Sequence, residues 1–349
     1  MSSTRIERIE LRSFRNHESF DLKLTEPLVY IHGPNGSGKT SILESIYVIA
    51  TTKSHRTTND KEMITNGKDF AVIRIKTTHD RFQLVVSKYG KRTSINGVEK
   101  RKLSDFIGHL RVVMFAPEDL DLIKGSPSDR RRFLDLEEMQ LSSTYLRDLT
   151  QYRAVLRQRN ALLKRLGQGD DDTFLNILGE QLLDHGKRII SERRKFIAGL
   201  NQELRAIHSA FSDHEVDVVY LPDVSEEGLS VHLQKQQKKD VLYQTTLAGP
   251  HRDDFNFVFN GFDAKSHASQ GEQRLIVVAL KFALLRTIER KTGQASILLL
   301  DDVLSELDDE RRAILLKRLP ADHQVIMNST TPIEDKRFER IELAKGETP

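Results

Sequence analysis

The sequence predicts an α/β fold in which both ends of the chain build one lobe and a helical lobe is inserted between them. Three observations predict it. "IHGPNGSGKTSILESI", residues 31–46, is a glycine-rich turn between an apolar strand and an apolar-faced helix. "SILLLDD", residues 296–302, is a second apolar strand, and it ends in two carboxylates. Between them the chain from Pro117 to about Leu242 carries helix-period apolar spacing. Residues 1–117 and 243–349 are therefore expected to close into one discontinuous lobe, with 118–242 as the insert.

Composition sets the outer bounds. At 349 residues, 38% hydrophobic and 30% charged, the chain can bury a core and fits a soluble globular protein. It contains no cysteine, which excludes disulfides and thiolate metal sites. The opening "MSSTRIERIELRSF" alternates charged and apolar groups, so no signal-peptide core is read there. The most apolar later stretch, "LIVVALKFALLRTI", is interrupted by Lys281 and too short for a bilayer, so no membrane partner is expected. A net charge of +3 says little about nucleic acid.

Taken in order, "RIERIELRSF" and "PLVYIHG" read as strands from their β-branched and alternating residues. After Gly38 the period changes: Ile42, Leu43, Ile46 and Ile49 share one side of a helix. "FAVIRIKT", "RFQLVVSK" and "TSINGVEK" are short strands, and Asn96-Gly97 is a hairpin turn because both residues tolerate positive φ. "HLRVVMFAP" is a strand stopped by Pro117. "SPSDRRRFLDLEEMQ" opens with helix-start residues. Two long helices follow, one carried by Tyr145, Leu149, Tyr152, Leu156, Leu163 and Leu166. The other runs from Phe174 and Leu175 through Leu182, Ile189 and Phe196 to Phe211, over about 57 Å. The "GQGDDD" turn between them implies an antiparallel pair. Beyond Leu242 the reading is strand "LYQTTLAG", strand "DFNFVFNG", helix "GEQRLIVVALKFALLRTIER", strand "ASILLLDDV", helix "DERRAILLKRL" and strand "HQVIMNST".

Gly33, Pro34, Asn35, Gly36, Ser37, Gly38, Lys39 and Thr40 match G-x-x-x-x-G-K-[ST] in full, with Ser41 next on the helix. The glycines let successive N–H groups turn inward around a polyphosphate. Lys39 then reaches the β- and γ-phosphates, Thr40 offers its hydroxyl to Mg²⁺, and the helix adds its positive end. The bland reading, an empty glycine-rich turn, does not explain the strand-to-helix context. "SILLLDD" carries two acids to the phosphate edge of a parallel sheet: Asp301 to hold Mg²⁺, Asp302 to polarise the attacking water. ATP and Mg²⁺ are the ligands implied. Alone, two acids after a strand more often start a helix; after a P-loop the odds reverse.

A third element follows. "HASQGEQRL" puts Ser269, Gln270, Gly271, Glu272 and Gln273 at a helix start just before the acidic strand, and "SELDDE", with Asp308, comes just after it. This order resembles the ATP-binding cassette: P-loop, inserted helical lobe, signature S-x-G-x-Q, acidic strand, D-loop. The resemblance implies that the signature of one subunit caps the phosphates held by another, giving a homodimer on ATP. Further words narrow the branch. "LRSFRNHESFDL", "KSHR", "FAPEDLDLIKGSPSDRRRFLD", "LAGPHRDDFNFVFNG" and "LLLDDVLSELDDERR" span nearly the whole chain and resemble the RecF family of bacterial DNA replication and repair proteins. That likeness implies an SMC-like head without its long coiled coil, in a bacterial cytoplasm and near the nucleoid. It further implies binding to duplex DNA near single-strand gaps and, with RecO and RecR, promotion of RecA loading.

By the same resemblance Arg56, in "KSHR", falls where related ATPases place an arginine near the phosphates. Three positions depart from the general cassette. Glu118 stands near the usual glutamine, and Asp302 stands where most cassettes have Glu, although Asp is the RecF pattern. In "VIMNSTTP" no histidine fills the switch position, leaving Asn328, Ser329 or Thr330. The shorter Asp302 and the missing histidine together imply slow, DNA-stimulated hydrolysis that resets a clamp, since about 1 Å of misplacement can cost about 10²-fold.

For DNA, residues 142–212 hold 12 Lys/Arg against 8 Asp/Glu, so the helical arm is the positive part of the chain. Arg153, Arg157, Lys164, Lys187, Arg188, Arg193, Arg194 and Lys195 are candidates for phosphate contacts, with Arg130 and Arg131 of the "RRR" run of similar standing. A solvated helix face with i,i+4 pairs is the competing reading. Among other functions, a transport-type cassette subunit calls for the glutamine and histidine that are missing. A scaffold using ATP only to dimerise, or another SMC-like ATPase, shares the head motifs.

Overall fold

A computed structural model describes residues 4–166, 172–330 and 335–344, with no description of the Glu306 side chain. Most of the expected "GQGDDD" turn, and Thr331 and Pro332, lie outside the described residues.

The chain opens with strands β1 (Ile6–Phe14), β2 (His17–Lys23) and β3 (Leu28–His32), then helix α1 (Lys39–Thr51). Strands β4 (Phe70–Thr77), β5 (Arg81–Ser87), β6 (Gly90–Ile95), β7 (Val98–Lys100) and β8 (Val112–Phe115) follow. Next come helices α2 (Asp121–Lys124), α3 (Pro127–Leu141), α4 (Ser143–Leu163) and α5 (Thr173–His208), strand β9 (Val216–Leu221) and helix α6 (Leu229–Tyr243). Strands β10 (Asp254–Phe259) and β11 (Phe262–Asp263) lead into helices α7 (Ala264–His267) and α8 (Gln270–Thr292). The chain closes with β12 (Ile297–Asp301), α9 (Asp309–Lys317), β13 (Val325–Ser329) and β14 (Glu339–Glu342). No helix of the described residues is long and apolar enough to cross a membrane.

Two compact units result: residues 1–120, 207–213 and 269–349, and residues 121–206 and 214–268. In unit one a five-stranded parallel sheet has the order β14-β3-β13-β12-β8. Its strands β3, β8, β12 and β13 read as largely apolar runs, while the edge strand β14 is Glu-Arg-Ile-Glu; Val29, Ile31, Leu298, Leu299 and Val325 are fully buried. Helix α1 packs on β8, β12 and β13, which fixes the P-loop over the sheet edge where β12 ends. A second sheet, antiparallel, runs β2-β1-β4-β5-β6-β7. Asn96 (φ 52°) and Gly97 (φ 80°) make its tight hairpin, as their residue types predict.

In unit two α4 and α5 are antiparallel: Asp148 meets His185 and Arg188, while the earlier Tyr145 meets the later Arg193. Leu175, Leu178, Leu182, Ile189, Phe196, Leu200 and Leu204 form the buried seam, whereas Phe174, expected in it, is 56% exposed. Two expectations need correction. "LYQTTLAG" is no strand: Leu242 and Tyr243 finish α6, Gln244 (φ 54°) closes it, and buried Asp240 accepts the Leu247 N–H, winding the chain into a loop. The boundary expected at 242/243 falls at 268/269, because β10 pairs with β9, Phe257 opposite Val218, in a sheet β11-β10-β9 of unit two.

Candidate nucleotide-binding site

The P-loop runs from β3 to α1 with Gly33, Gly36 and Gly38 at φ 152°, 80° and 95°. At Gly38 the glycine is required twice over, since a Cβ there would lie 2.3 Å from His17 Nε2. Lys39 Nζ donates to the carbonyls of Gly33 at 2.7 Å and Pro34 at 2.9 Å, holding its ammonium within the curl of the loop. Burial lowers its pKa, and the carboxylates of Asp302 and Asp301 oppose that shift.

The acid pair arrives on β12. Thr40 Oγ1 donates to Asp301 Oδ1 at 2.9 Å, across 261 residues of sequence. Asn328, on the neighbouring β13, donates Nδ2 to the same oxygen at 2.6 Å and accepts the Asp302 N–H at 2.8 Å. Of the three residues left open at the switch position, Asn328 is the one bonded to both acids. Ser329 is buried, and Thr330 joins Asn328 in lining the cleft. Asp301 is 3% exposed, and burial raises its pKa; the charges of Glu118 and Asp302 add to this, while the bonds from Asn328 and Thr40 oppose it. Asp302 sits in the left-handed region (φ 50°), a conformation Asp tolerates at a cost of about 1 kcal/mol. Its Oδ1 is buried with no hydrogen-bond partner among the described residues.

The loop, Asp302, Asn328 and Thr330 line a cleft of about 580 Å³, together with Arg15, Asn16 and Arg56. Arg56 does reach it, 3.8 Å from the buried Glu44. The sequence reading missed the support behind these groups. Arg15 forks onto Glu44 at 2.9 and 2.5 Å, and Ser54 donates to Glu44 Oε1 at 2.5 Å. Asn16 donates to the Gly36 carbonyl at 3.3 Å and accepts from Ser41 at 3.0 Å; His17 Nε2–H donates to the Gly38 carbonyl at 3.2 Å. "FRNH" before the loop and Glu44 on α1 were the available signals. In "KSHR", His55 stands edge-on to Tyr47, and burial takes its pKa down to about 4.

The signature residues are not in this cleft. Ser269 caps α8 by accepting the Glu272 N–H, while the Glu272 carboxylate takes the Ser269 N–H at 2.6 Å. Ser269 and Gln270 are exposed, Gly271 and Glu272 half-buried, and Gln273 is buried. Asp308 caps α9 and pairs with Arg311 at 3.1 Å, and the Arg311 guanidinium lies so close to Gly271 that a Cβ would stand 2.8 Å from Nη1. Glu118 is exposed on a short turn before α2; its neighbour Asp119 accepts from the buried Lys281 at 2.7 Å.

The basic candidates divide. Arg193 is no surface cation: it is 2% exposed and bonds Asp135 Oδ1 and Asp253 Oδ2 at 2.8 Å each and the Pro250 carbonyl at 2.7 Å. Arg130, 9% exposed, forks onto Asp254 at 2.6 and 2.8 Å, and Arg131 is held by the Asp253 carbonyl. Arg153 pairs with Asp135, Arg188 with Asp148 and Asp184, Lys195 with Glu192, and Arg194 stands 3.8 Å from Glu226. Arg157 and Lys164 are exposed and Lys187 half-buried.

Residues 5–341 match the RecF/RecN/SMC N terminal domain family. The chain is 53% identical over 341 residues to the DNA replication and repair protein RecF of Acholeplasma laidlawii (strain PG-8A), covering 97% of this chain and 98% of that protein. It is 40% identical over 356 residues to RecF of Bacillus cytotoxicus, covering 97% and 95%. Its fold superposes on the solved structure of a recombination mediator protein, RecF-ATP in the RecFOR pathway, with a TM-score of 0.90 at 30% identity, covering 96% of this chain and 94% of that one. The Smc head domain of Pyrococcus furiosus, at 16% identity and a TM-score of 0.53, shares the fold alone. With its P-loop, acid pair and signature on one SMC-head-like α/β frame, the chain belongs to the RecF family of SMC-type ATPases.

Proposed function

We propose that this chain is an ATP-gated DNA clamp of recombinational repair and replication restart. ATP joins two copies, the pair holds duplex DNA near single-strand gaps, and slow hydrolysis releases it. One observation carries the reading: the nucleotide site is split. The cleft holds Lys39, Thr40, Asp302 and Asn328, while Ser269 and Gln270 stand exposed outside its lining. A hydroxyl and N–H groups at a helix start suit a phosphate, and a second copy can deliver them to the open side of the first.

Within the cleft the loop N–H groups, the positive end of α1 and Lys39 offset the phosphate charge. Thr40 and Asp301 are hard oxygen donors bonded to one another, which fits Mg²⁺, an ion that takes one or two protein oxygens and completes its shell elsewhere. When bound, Mg²⁺ supplies charge neutralisation at the phosphates. Asp302 Oδ1, without another partner, is free to accept the proton of the attacking water. RecO, RecR and RecA loading, and a place beside the bacterial nucleoid, follow from the family, one of whose ATP-bound structures is described within the RecFOR pathway. A scaffold using ATP only to dimerise shares these groups, whose presence gives competence for hydrolysis, and measured turnover separates the two readings.

Turnover and mass in solution test the proposal. With ATP, Mg²⁺ and duplex DNA the mass should double, and turnover should rise with DNA yet stay below about 10 s⁻¹, the usual enzyme median. Faster turnover, or DNA binding indifferent to Lys39→Met, contradicts the clamp.

A further inference from the structure

The solvent face of the antiparallel sheet in unit one carries a pattern that sheet stability disfavours. Lys23 stands opposite Arg8, Arg8 opposite Lys76 and Lys76 opposite Arg81, so four cations lie side by side on β2, β1, β4 and β5. At about 4.8 Å per strand the row is about 14 Å long, and like charges directly opposite each other destabilise a sheet. In the next row Arg74 lies between Glu10 and Gln83.

The nearby acids neutralise only one part of the row. Arg8 pairs with Asp21 and, at 3.1 Å, with Glu10; Lys76 pairs with Glu7 at 2.6 Å. Arg74 donates Nε to the neutral Gln83 at 2.7 Å, and neither it nor the exposed Arg81 has an ion pair among the described residues. Arg8, Glu10, Arg74, Lys76, Arg81 and Gln83 rim a concavity of about 760 Å³. Its floor residues Ile75 and Phe82 are 0% and 2% exposed, so no apolar anchor is offered. A protein partner is held by such anchors, whereas a phosphodiester backbone needs spaced cations and no reading of bases.

We infer that this sheet face binds the sugar-phosphate backbone of nucleic acid, as a surface separate from the helical arm. The inference rests on the DNA-binding reading above and gives it a place in unit one. Where the row and its neighbour have no ion pair among the described residues, at Arg81 and Arg74, the excess positive charge costs stability, and a polyanion laid across the face removes that cost.

The test uses the full chain with ATP and Mg²⁺, comparing wild type, Arg74→Gln, Arg81→Gln, the double variant, and Arg157→Ala on the helical arm. Duplex binding is read by anisotropy over a salt series, beside ATP turnover without DNA and melting temperature. The double variant should lower the slope of log K against log salt by about 2, one for each lost phosphate contact, and weaken binding at low salt about tenfold. Its DNA-free turnover should be unchanged, and Arg81→Gln should melt at a higher temperature because it relieves Lys76. An unchanged slope and affinity beside a wild type that binds duplex overturns the sheet-face inference and leaves the clamp standing. A wild type that never binds duplex overturns both. Loss of binding to polyglutamate with duplex binding intact overturns the choice of nucleic acid.

Discussion

Asp301 is a carboxylate on the last residue of a buried strand, and burial is the largest influence on its proton. Because its folded pKa is raised, stability falls as the pH rises from the ordinary carboxylate value to that raised pKa; the cost is complete above it and absent below the unfolded value. Asp301→Asn should therefore raise the melting temperature of the nucleotide-free protein at pH 8. The difference from wild type should shrink as the pH falls through the folded pKa. The same variant should lose the Mg²⁺-dependent part of ATP stabilisation, which thermal melts with and without the metal would detect. Gly38→Ala meets both a positive φ and the His17 ring. It should abolish ATP binding by calorimetry and cost more than about 1 kcal/mol of stability. Gly38 was legible in the sequence because the P-loop is a local backbone requirement, and Asp301 because it ends an apolar strand in a chain that carries a P-loop. The Arg15–Glu44–Ser54 support was not, since its members lie far apart and only the closed fold joins them.

At the scale of elements, legibility followed locality. The Asn96-Gly97 hairpin, the start of α8 at Ser269 and the seam of α5 from Leu175 to Leu204 depend on neighbours in sequence and agree with the reading, Phe174 and Phe211 apart. Strand β9 lies between two helices and is held by β10, which begins 33 residues after β9 ends; "VDVVYL" alone did not reveal that pairing. Arg193 misled for a similar reason. In a run of basic residues it reads as a surface cation, yet the α4–α5 packing turns it between Asp135 and Asp253. Removing it takes from buried Asp253 its cation partner and leaves Asp135 to Arg153, so Arg193→Met should cost about 3–5 kcal/mol in denaturant unfolding. Arg157→Ala, on an exposed position, should stay within about 0.5 kcal/mol of wild type. Equal effects of the two substitutions would contradict the buried network.

For the whole molecule, the two ends of the chain do build one unit, as the P-loop and the acidic strand required: β3 and β12 both flank β13 in one parallel sheet. The second boundary lies at 268/269, beyond β10 and β11, and the place of the "GPHRDD" stretch and β10 in unit two could be found only from strand pairing. The central claim is that each ATP is shared by two copies, one giving Lys39 and the acids, the other Ser269. Mixing two disabled variants tests this most directly. Lys39→Met cannot hold ATP and Ser269→Arg cannot cap it, so each alone should remain a monomer with ATP and Mg²⁺ by light scattering. Their mixture rebuilds one complete site, formed by the Ser269→Arg P-loop and the Lys39→Met signature, and should yield a heterodimer. A Ser269→Arg chain that dimerises alone, or a mixture that stays monomeric while wild type dimerises, would contradict the account.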